Sequence, residues 1–340
     1  MTTGDPVRIG LAGYGRGGRF FHAPLIGQAP ECTLAGVLTR SPRRRAELAT
    51  DFPGVPAVGW LSDLAAAGVD AVVITTPLDT HERLVREAIA LGLPAVCDKP
   101  FTPDAASARA LVQAAEQSGV PLTVYQNRRW DADFLTVRAL VESGALGEVT
   151  GFESRMEQYP PPGGFSATGG GVLRDFGSHV ADQALHLFGP AARVYAEVDT
   201  RRPGAAVDDD AFIALTHENG VHSHLWMSAV CAQPGPRLRI LGDQSAYTVQ
   251  GLDPQEAALR AGERPGPGWG EPAEAEWGLL GTTEEAHRYP SLPGDYPAFY
   301  AGVVSALRDG APAPVDPRDS LAALEVLELA RRSAAEGKTL

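Results

Sequence analysis

The sequence predicts two domains: an α/β domain with a parallel, doubly wound sheet over residues 1–126, and an α+β domain with a large, mostly antiparallel open sheet over residues 127–340. The chain has 340 residues, which is long for a single hydrophobic core. In its first third, short apolar runs alternate with helical patterns, as in a series of βαβ units. Beyond residue 190, strand-like segments follow one another through short turns, the pattern of an antiparallel sheet.

The composition excludes several classes of function. Hydrophobic residues make up 44% of the chain and charged residues 21%, as in ordinary globular proteins. The formal net charge is −13 and the basic residues cluster only at Arg40 and at 43–45, so no nucleic-acid partner is expected. The apolar runs are too short to cross a bilayer and the opening stretch MTTGDPVRIG lacks signal-peptide features, so no membrane partner is expected.

The cysteines favour a reducing compartment. Cys32, Cys97 and Cys231 are odd in number, far apart and without histidines at metal-binding spacing. We expect reduced core residues of a cytoplasmic protein and no metal site. A redox or nucleophilic role is the weaker alternative.

The first predicted strand lies in the apolar run Val7–Gly15, which ends in the glycines of a motif. The motif is Gly13-x-Gly15-x-x-Gly18, and a helical stretch runs from about Arg19 to Gln28. Strand, glycine turn and helix in this order are typical of a Rossmann dinucleotide site, where the glycines allow a tight turn, close approach of the pyrophosphate and helix packing. A purely structural glycine turn is the alternative.

The end of the second strand, Thr33–Leu38, indicates which dinucleotide binds. An NAD enzyme carries a carboxylate here for the ribose 2′-hydroxyl, but this chain has Thr39, Arg40, Ser41 and Arg44. Hydroxyls and guanidinium groups suit a 2′-phosphate. The sequence therefore predicts NADP(H), with NAD as the alternative; a solvated basic start of a helix is the structural alternative.

Two further strand ends carry polar residues. Val69–Thr76 and Pro94–Cys97 read as buried strands, and ligands bind at the carboxyl ends of such strands in open α/β sheets. With the glycine motif and the second strand end, they complete the set of predicted cofactor-binding residues. These are Gly13, Tyr14, Gly15, Gly18, Thr39, Arg40, Ser41, Arg44, Thr75, Thr76, Pro77, His81, Asp98 and Lys99.

The stretch 169–189, GGGVLRDFGSHVADQALHLFG, is predicted as one helix after a glycine turn. Asp175, His179 and Asp182 fall at i, i+4 and i+7 and so share one face, while apolar residues cover another. Gly177 is expected to leave room for a ligand. An imidazole beside a carboxylate suits a general base. The alternative is a structural helix with a hydrogen-bonded histidine and two solvated acids.

Together these motifs resemble those of the Gfo/Idh/MocA family of NAD(P)-dependent oxidoreductases, over essentially the whole chain. The matching residues are GYGRGG, TTP with His81, Asp98-Lys99-Pro100 and GGGVLRDFGSHVADQALHLFG. Four more segments resemble the branch that contains NADP-dependent scyllo-inositol dehydrogenases. They are FFHAPLI, QNRRWDADFLTVR, GLDPQEAALRAG and YPAFYAGVV.

The resemblance implies a catalytic set of Lys99, Asp175 and His179. The same three residues, with Asn127 and Arg128 at the domain border, are the predicted substrate contacts. Asp98 stands where the family usually has Glu, and Leu78 replaces an Asn often found after the TTP-type strand end. The segment 153–162 also diverges from the inositol-type pattern, which leaves the substrate more open than the reaction class.

The remaining predictions concern the second domain. The Pro- and Gly-rich stretch 160–171 is expected to be a lid or an ordinary connection. Asn219-Gly220 predicts a two-residue hairpin. The face of the sheet without helices is expected to form a homodimer or homotetramer interface, with contributions from Trp226 and Tyr247.

The expected activity is hydride transfer between NADP(H) and a secondary alcohol or ketone of a cyclic polyol, inositol-like, or of a sugar. His179 would take the hydroxyl proton, Lys99 would stabilise the alkoxide, and Asp175 would orient substrate or imidazole. Asp182 would lie behind them. The alternatives are a cofactor-binding regulatory protein without turnover and an oxidoreductase of this family that acts on non-sugar diols or ketones.

Overall fold

The computed structural model describes residues 4–160 and 170–340. The chain divides into two compact units, and each unit is built from three separate segments of the sequence. The first comprises Met1–Asn127, Gln255–Trp269 and Asp295–Leu321; the second comprises Arg128–Pro254, Gly270–Gly294 and Ala322–Leu340. The predicted border at residue 126 did not anticipate these later segments. Most of the predicted lid, residues 161–169, lies outside the described residues.

The first unit contains a parallel six-stranded sheet. Its strands are β1 (Val7–Ala12), β2 (Cys32–Leu38), β3 (Ala57–Val58), β4 (Ala71–Ile74), β5 (Ala95–Asp98) and β6 (Leu122–Tyr125). They lie in the order β3-β2-β1-β4-β5-β6, which confirms the predicted doubly wound fold. Near-continuous apolar runs form β1 and β4 because helices cover both faces of such a sheet. The two-residue edge strand β3 was not predicted.

Eleven α-helices occur in the described part of the chain. They are α1 (Ala23–Gln28), α2 (Pro42–Asp51), α3 (Leu61–Ala66), α4 (His81–Ala90), α5 (Ala105–Ser118), α6 (Ala132–Glu142), α7 (Val172–Asp175), α8 (Gly177–Phe188), α9 (Gln255–Ala261), α10 (Tyr296–Asp309) and α11 (Pro317–Glu336). Among the described residues, none of these helices combines the length and apolar character needed to span a bilayer.

The helix predicted after the glycine turn differs in its first turn. Residues Gly18–His22 form a π-helical turn, and the regular α1 begins only at Ala23. Pro24 lies in the first turn of α1, where its missing N–H costs nothing. The wider turn places His22 with its side chain fully buried.

The second unit contains an open eight-stranded sheet. Its strands are β7 (Val149–Glu157), β8 (Ala191–Asp199), β9 (Asp210–His217), β10 (His222–Ser228), β11 (Leu238–Gly242), β12 (Ala246–Val249), β13 (Leu279–Gly281) and β14 (Ala286–Arg288). Their order is β14-β13-β12-β11-β7-β10-β9-β8. Of the described strand pairs, β7 and β10 run parallel and the others antiparallel, which confirms the mostly antiparallel sheet.

The hairpin at Asn219-Gly220 is present but longer than predicted. The last paired residues before and after it are Thr216 and His222, and the His217 N–H donates to the Val221 carbonyl at 2.9 Å. Gly220 has φ +88°, a left-handed conformation that suits glycine. The loop between the paired strands therefore runs from His217 to Val221 and is longer than two residues.

The two faces of the eight-stranded sheet differ as the alternation in β10 predicts. Leu225 is fully buried, and Met227 on the same face packs into the core of the second unit with Val180 and Ala184 of α8. His224 on the opposite face is exposed. Tyr247 belongs to the core and is fully buried, so the expectation that it contributes to an exposed interface is wrong: its position in β12 turns the side chain inward.

Candidate active site

The glycine turn after β1 leaves a cradle. A Cβ atom on Gly13 would lie 2.7 Å from the Thr75 carbonyl oxygen, and one on Gly18 would collide with the Gly13 carbonyl oxygen. A Cβ atom on Gly15 would meet nothing within 4 Å. Two of the predicted glycines therefore allow backbone packing inside the protein, while the third borders open space. This arrangement fits the pyrophosphate of a dinucleotide at Gly15.

Gly17, which the sequence analysis did not single out, brings the glycine turn close to the ends of β4 and β5. A Cβ atom there would collide with the Thr75 hydroxyl and lie 2.7 Å from Asp98 Oδ2. The Thr75 hydroxyl donates to the same carboxylate oxygen at 2.7 Å. The glycine turn, Thr75 and Asp98 therefore form one packed group.

Asp98 is the centre of this group. Its Oδ1 accepts the backbone N–H of Lys99 at 2.8 Å, and its Oδ2 lies 3.5 Å from His22 Nε2. On the other side of the imidazole, His22 Nδ1 lies 2.7 Å from the Tyr300 hydroxyl. Residues from three separate stretches thus converge on the turn that carries Lys99. The shorter acid fits because Thr75 and Lys99 contact both of its oxygens.

The Asp98 carboxyl is held in its charged form. Burial alone would raise its pKa, but hydrogen bonding and the charge of His22, with the Thr75 hydroxyl, outweigh burial and lower the pKa to about 2. A partly buried anion is therefore present at neutral pH beneath the glycine turn.

His81 joins the ends of β4 and β5. Its Nε2 lies 2.8 Å from the Thr76 carbonyl oxygen and its Nδ1 3.1 Å from the Pro100 carbonyl oxygen. The ring is buried, with 2% of its surface exposed. Both nitrogens are thus occupied by the protein, so the structure gives His81 a bracing role. Direct contact of His81 or Pro77 with a cofactor stays a prediction.

The polar residues after β2 range from buried to exposed. Thr39 is buried, and its carbonyl accepts Arg45 Nε at 3.0 Å. The Ser41 hydroxyl caps α2 by accepting the Arg44 N–H at 3.4 Å, and the Arg44 guanidinium lies 2.7 Å from Glu47. Arg40 remains exposed. No carboxylate occupies the end of β2 itself, which fits an anionic group on the ribose.

Tyr14 follows the first glycine, and its side chain is committed to the protein. Its hydroxyl donates to Asp51 Oδ2 at 3.0 Å, and Arg19 Nε donates to the same oxygen at 2.7 Å. Burial and the bond to Asp51 raise the pKa of Tyr14 well above its usual range. Its predicted contact with cofactor is therefore restricted to the backbone.

The helix predicted to carry Asp175 and His179 is interrupted. Asp175 ends α7 and His179 lies in the first turn of α8, with Phe176 between them. The His179 N–H donates to the Phe176 carbonyl at 3.0 Å, a bond that spans three residues and tightens the chain at this joint. His179 is buried, with 4% of its surface exposed.

Gly177 does not leave room for a ligand, contrary to the expectation. A Cβ atom there would lie 2.9 Å from Cδ2 of Leu327. The glycine therefore admits a side chain of α11 against α8, and its role is packing within the second unit.

Asp182 is neither solvated nor unpaired. Its two oxygens accept Arg129 Nη2 at 2.6 Å and Nε at 2.8 Å, and both side chains are buried. Such a two-point ion pair is strong, and removing one partner would leave a buried charge. Asp182 thus anchors α8 one turn beyond His179.

The predicted substrate contacts Arg128 and Asn127 are both buried. Arg128 Nη1 donates to Asp131 Oδ2 at 2.9 Å within the second unit. Gln183 of α8 donates to the Arg128 carbonyl at 3.0 Å and accepts Arg237 Nη2 at 3.0 Å. Arg128 is therefore part of a buried polar network, and substrate binding by either residue stays a prediction.

The three predicted catalytic residues are divided between the units. Lys99 belongs to the first unit, whereas Asp175 and His179 belong to the second. Their assembly around one substrate stays a prediction of the family resemblance.

The cysteines lack the signs of a nucleophile. Burial raises the pKa of Cys97 and of Cys231, and it raises that of Cys32 to about 11, so each is a neutral thiol at pH 7. Cys231 is only half-buried, so it is not the core residue expected. Among residues 4–160 and 170–340, no group of three or more His, Cys, Asp or Glu could hold a metal ion.

Family models match both units. The model described as "Oxidoreductase family, NAD-binding Rossmann fold" matches residues 7–126, and the one described as "GFO/IDH/MocA C-terminal domain" matches residues 134–248. The chain belongs to the GFO/IDH/MocA family. As a member of that oxidoreductase family, it is an NAD(P)-dependent dehydrogenase or reductase that acts on CH–OH groups.

Individual relatives match most or nearly all of this GFO/IDH/MocA chain. The scyllo-inositol 2-dehydrogenase (NADP(+)) IolW of Bacillus subtilis is 32% identical, covering 99% of this chain and 96% of that protein. A D-apiose dehydrogenase of Paraburkholderia graminis is 30% identical, covering 82% and 74%. The solved structure of the oxidoreductase yvaA from Bacillus subtilis superposes with a TM-score of 0.93 at 32% identity, covering 99% and 98%.

Several residues of the site were missed from the sequence. His22 and Tyr300 lie in segments that carry the branch resemblance, FFHAPLI and YPAFYAGVV, but only the structure shows that these segments meet. Gly17 is the fourth glycine of the motif, beside the three that were predicted, and it could have been singled out.

The glycine turn allows a paired test. Gly18→Ala should lower the free energy of unfolding by about 2 kcal/mol because its Cβ collides with backbone, an overpacking cost. Gly15→Ala should leave stability unchanged and weaken NADP⁺ binding, because its Cβ would occupy the open cradle. Chemical denaturation and titration calorimetry check both variants. Equal destabilisation by the two changes would contradict the division of roles.

Asp98 predicts a pH dependence of stability. Its pKa falls from 3.8 to about 2 on folding, so its contribution is complete above pH 4 and is lost as the pH falls towards 2. The difference in unfolding free energy between wild type and Asp98→Asn should therefore be constant from pH 7 to 5 and shrink by pH 3. Urea unfolding at each pH measures it. A difference that stays level down to pH 3 would contradict the assignment.

Proposed function

We propose that the protein catalyses reversible hydride transfer between NADP(H) and a secondary alcohol or ketone of a cyclic polyol, inositol-like, or of a sugar. The observation that carries this proposal is the anchoring of the Lys99 turn to the glycine cradle through Asp98 and Thr75. It connects a dinucleotide site with a catalytic amine. When bound, the nicotinamide supplies the hydride acceptor or donor.

The residue usage of the chain supports the role of Lys99. Of its 29 lysines and arginines only two are lysines, Lys99 and Lys338. Arginine therefore serves almost every position that needs a cation. A lysine at residue 99 fits a position that needs a compact ammonium group, which can approach one developing alkoxide oxygen more closely than a planar guanidinium.

His179 is proposed as the general base. In the oxidation direction it removes the hydroxyl proton while hydride leaves the carbon, which yields a ketone and a protonated imidazole. Asp175 orients the imidazole or the substrate. The Asp182–Arg129 ion pair supports this role because it fixes α8 one turn away.

NADP is proposed over NAD. Support comes from Arg40, Ser41 and Arg44 at the end of β2, where an NAD enzyme carries an acid, and from a full-length relative named as NADP-dependent. The same relative supports an inositol-like substrate, and the D-apiose dehydrogenase supports sugars as the neighbouring class.

A cytoplasmic homo-oligomer is part of this proposal. The face of the eight-stranded sheet opposite the core carries Phe212, His224 and Trp226 in mutual ring contact, and Arg155 lies 3.8 Å from the Trp226 ring. Such an aromatic patch suits burial against a second copy. Cytoplasmic location is supported by the three free thiols.

Light scattering measures the oligomeric state. We expect a dimer or tetramer that Trp226→Glu dissociates, because a carboxylate would be buried at the interface. The exposed His287→Glu serves as a control outside this patch. A wild-type monomer at micromolar concentration would contradict the proposal.

An assay of turnover distinguishes the proposed activity from two alternative functions. A regulatory protein would bind cofactor without turnover, and a different oxidoreductase of this family would turn over non-sugar diols or ketones. The presence of both Lys99 and His179 favours turnover.

Reduced-nicotinamide absorbance should detect turnover of an inositol or sugar, with NADP⁺ preferred to NAD⁺. Lys99→Ala should lower turnover by about 100-fold or more while NADP⁺ affinity is retained, because the amine acts in the transition state. Lys338→Ala, at the exposed second lysine, is the matched control. Cofactor binding without turnover of any inositol, sugar or diol would favour the regulatory alternative.

A further inference from the structure

Trp60 is exposed at the edge of the nucleotide-binding sheet. It follows β3, and 59% of its surface is accessible to solvent. For comparison, the exposed Leu91 leaves 43% of its surface accessible. A bulky aromatic ring in water contributes little to folding, so its contacts indicate what it does.

The ring of Trp60 supports a cation. The guanidinium carbon of Arg40 lies 4.0 Å from the ring centroid, within the range of a cation–π interaction. Arg40 Nε also donates to the Gly59 carbonyl at 3.1 Å. Register explains the meeting: Leu38 pairs with Val58, so the residues after β2 and β3 leave the same sheet edge side by side.

The backbone that carries Trp60 is fixed. Asp63 in the first turn of α3 accepts the N–H of Trp60 at 3.0 Å and that of Gly59 at 3.2 Å. The ring and the carbonyl that contact Arg40 therefore belong to one anchored turn. Two restraints on the guanidinium, one at its face and one at Nε, limit the rotamers that the long side chain can occupy.

The other arginines at this edge are engaged elsewhere. Arg44 pairs with Glu47, and Arg45 donates to the Thr39 carbonyl. Within the described residues, the two terminal nitrogens of Arg40 make no hydrogen bond to protein. They are donors held at the strand end where the ribose 2′ position of a dinucleotide lies.

We propose that Trp60 is a positioning residue for cofactor selectivity: it holds Arg40 so that the terminal N–H groups of the guanidinium bind an adenosine 2′-phosphate. The inference rests on the proposed preference for NADP and assigns part of that preference to a residue outside the phosphate contacts. Preorganisation explains the gain, because a restrained arginine loses less side-chain entropy when it binds the phosphate.

Titration calorimetry with two probes tests the role without any assay of turnover. Adenosine 2′,5′-bisphosphate carries the 2′-phosphate, and 5′-AMP lacks it. Trp60→Ala should weaken binding of the bisphosphate by about fivefold and leave 5′-AMP unchanged, as expected for loss of one cation–π contact. Trp60→Phe should retain most of the affinity, and the exposed Leu91→Ala is the control.

A double-mutant cycle with Arg40→Ala separates positioning from direct contact. If Trp60 acts through Arg40, Trp60→Ala should have no further effect on bisphosphate binding in the Arg40→Ala background. An additional loss there would overturn the proposal, as would an equal loss for both probes or no loss at all. If wild type bound the two probes equally, the NADP preference itself would fail; if only the Trp60 variants departed from expectation, only this inference would fail.

Discussion

The packing of the glycine turn against the Lys99 turn depends on one partly buried carboxylate. Asp98 accepts hydrogen bonds from the Thr75 hydroxyl at the end of β4 and from the Lys99 N–H, and it lies beside the imidazole of His22. A charge largely withdrawn from water needs such partners, so these contacts hold the three groups relative to one another. Because Gly17 packs on the same carboxylate, the shape of the glycine turn and the position of the Lys99 turn are coupled.

The second unit also holds a charged group in its interior, and an ion pair neutralises it. Asp182 and Arg129 satisfy each other at two points in the interior, and Gln183 on the next residue of α8 bonds to the Arg128 carbonyl. These contacts are directional, whereas the apolar packing of α8 on the sheet is not. The helix that carries His179 is therefore fixed in rotation as well as in depth.

The parts of this molecule that repeat a pattern could be predicted from sequence. The apolar runs of β1 and β4, the alternation in β10 and the glycine spacing each express a local periodicity. The edge strand β3, with two residues, has too few to show one. Pairing between distant residues could not be predicted from the sequence. The ion-pair partner of Asp182 lies 53 positions away, so the sequence alone did not show that this acid is paired. The inward orientation of Tyr247 depends on the register of β12.

Glu47 in α2 pairs with several of the arginines near the end of β2. Its carboxylate lies 2.7 Å from Arg44, 3.3 Å from Arg19 and 3.5 Å from Arg43, so one acid moderates three guanidinium groups. The positive potential facing a ligand is therefore governed by a residue that need not touch it. A change from Glu to Gln at this position would remove one negative charge and leave the number of arginines the same. The net positive charge offered at this edge of the sheet thus depends on a single residue on the second turn of α2.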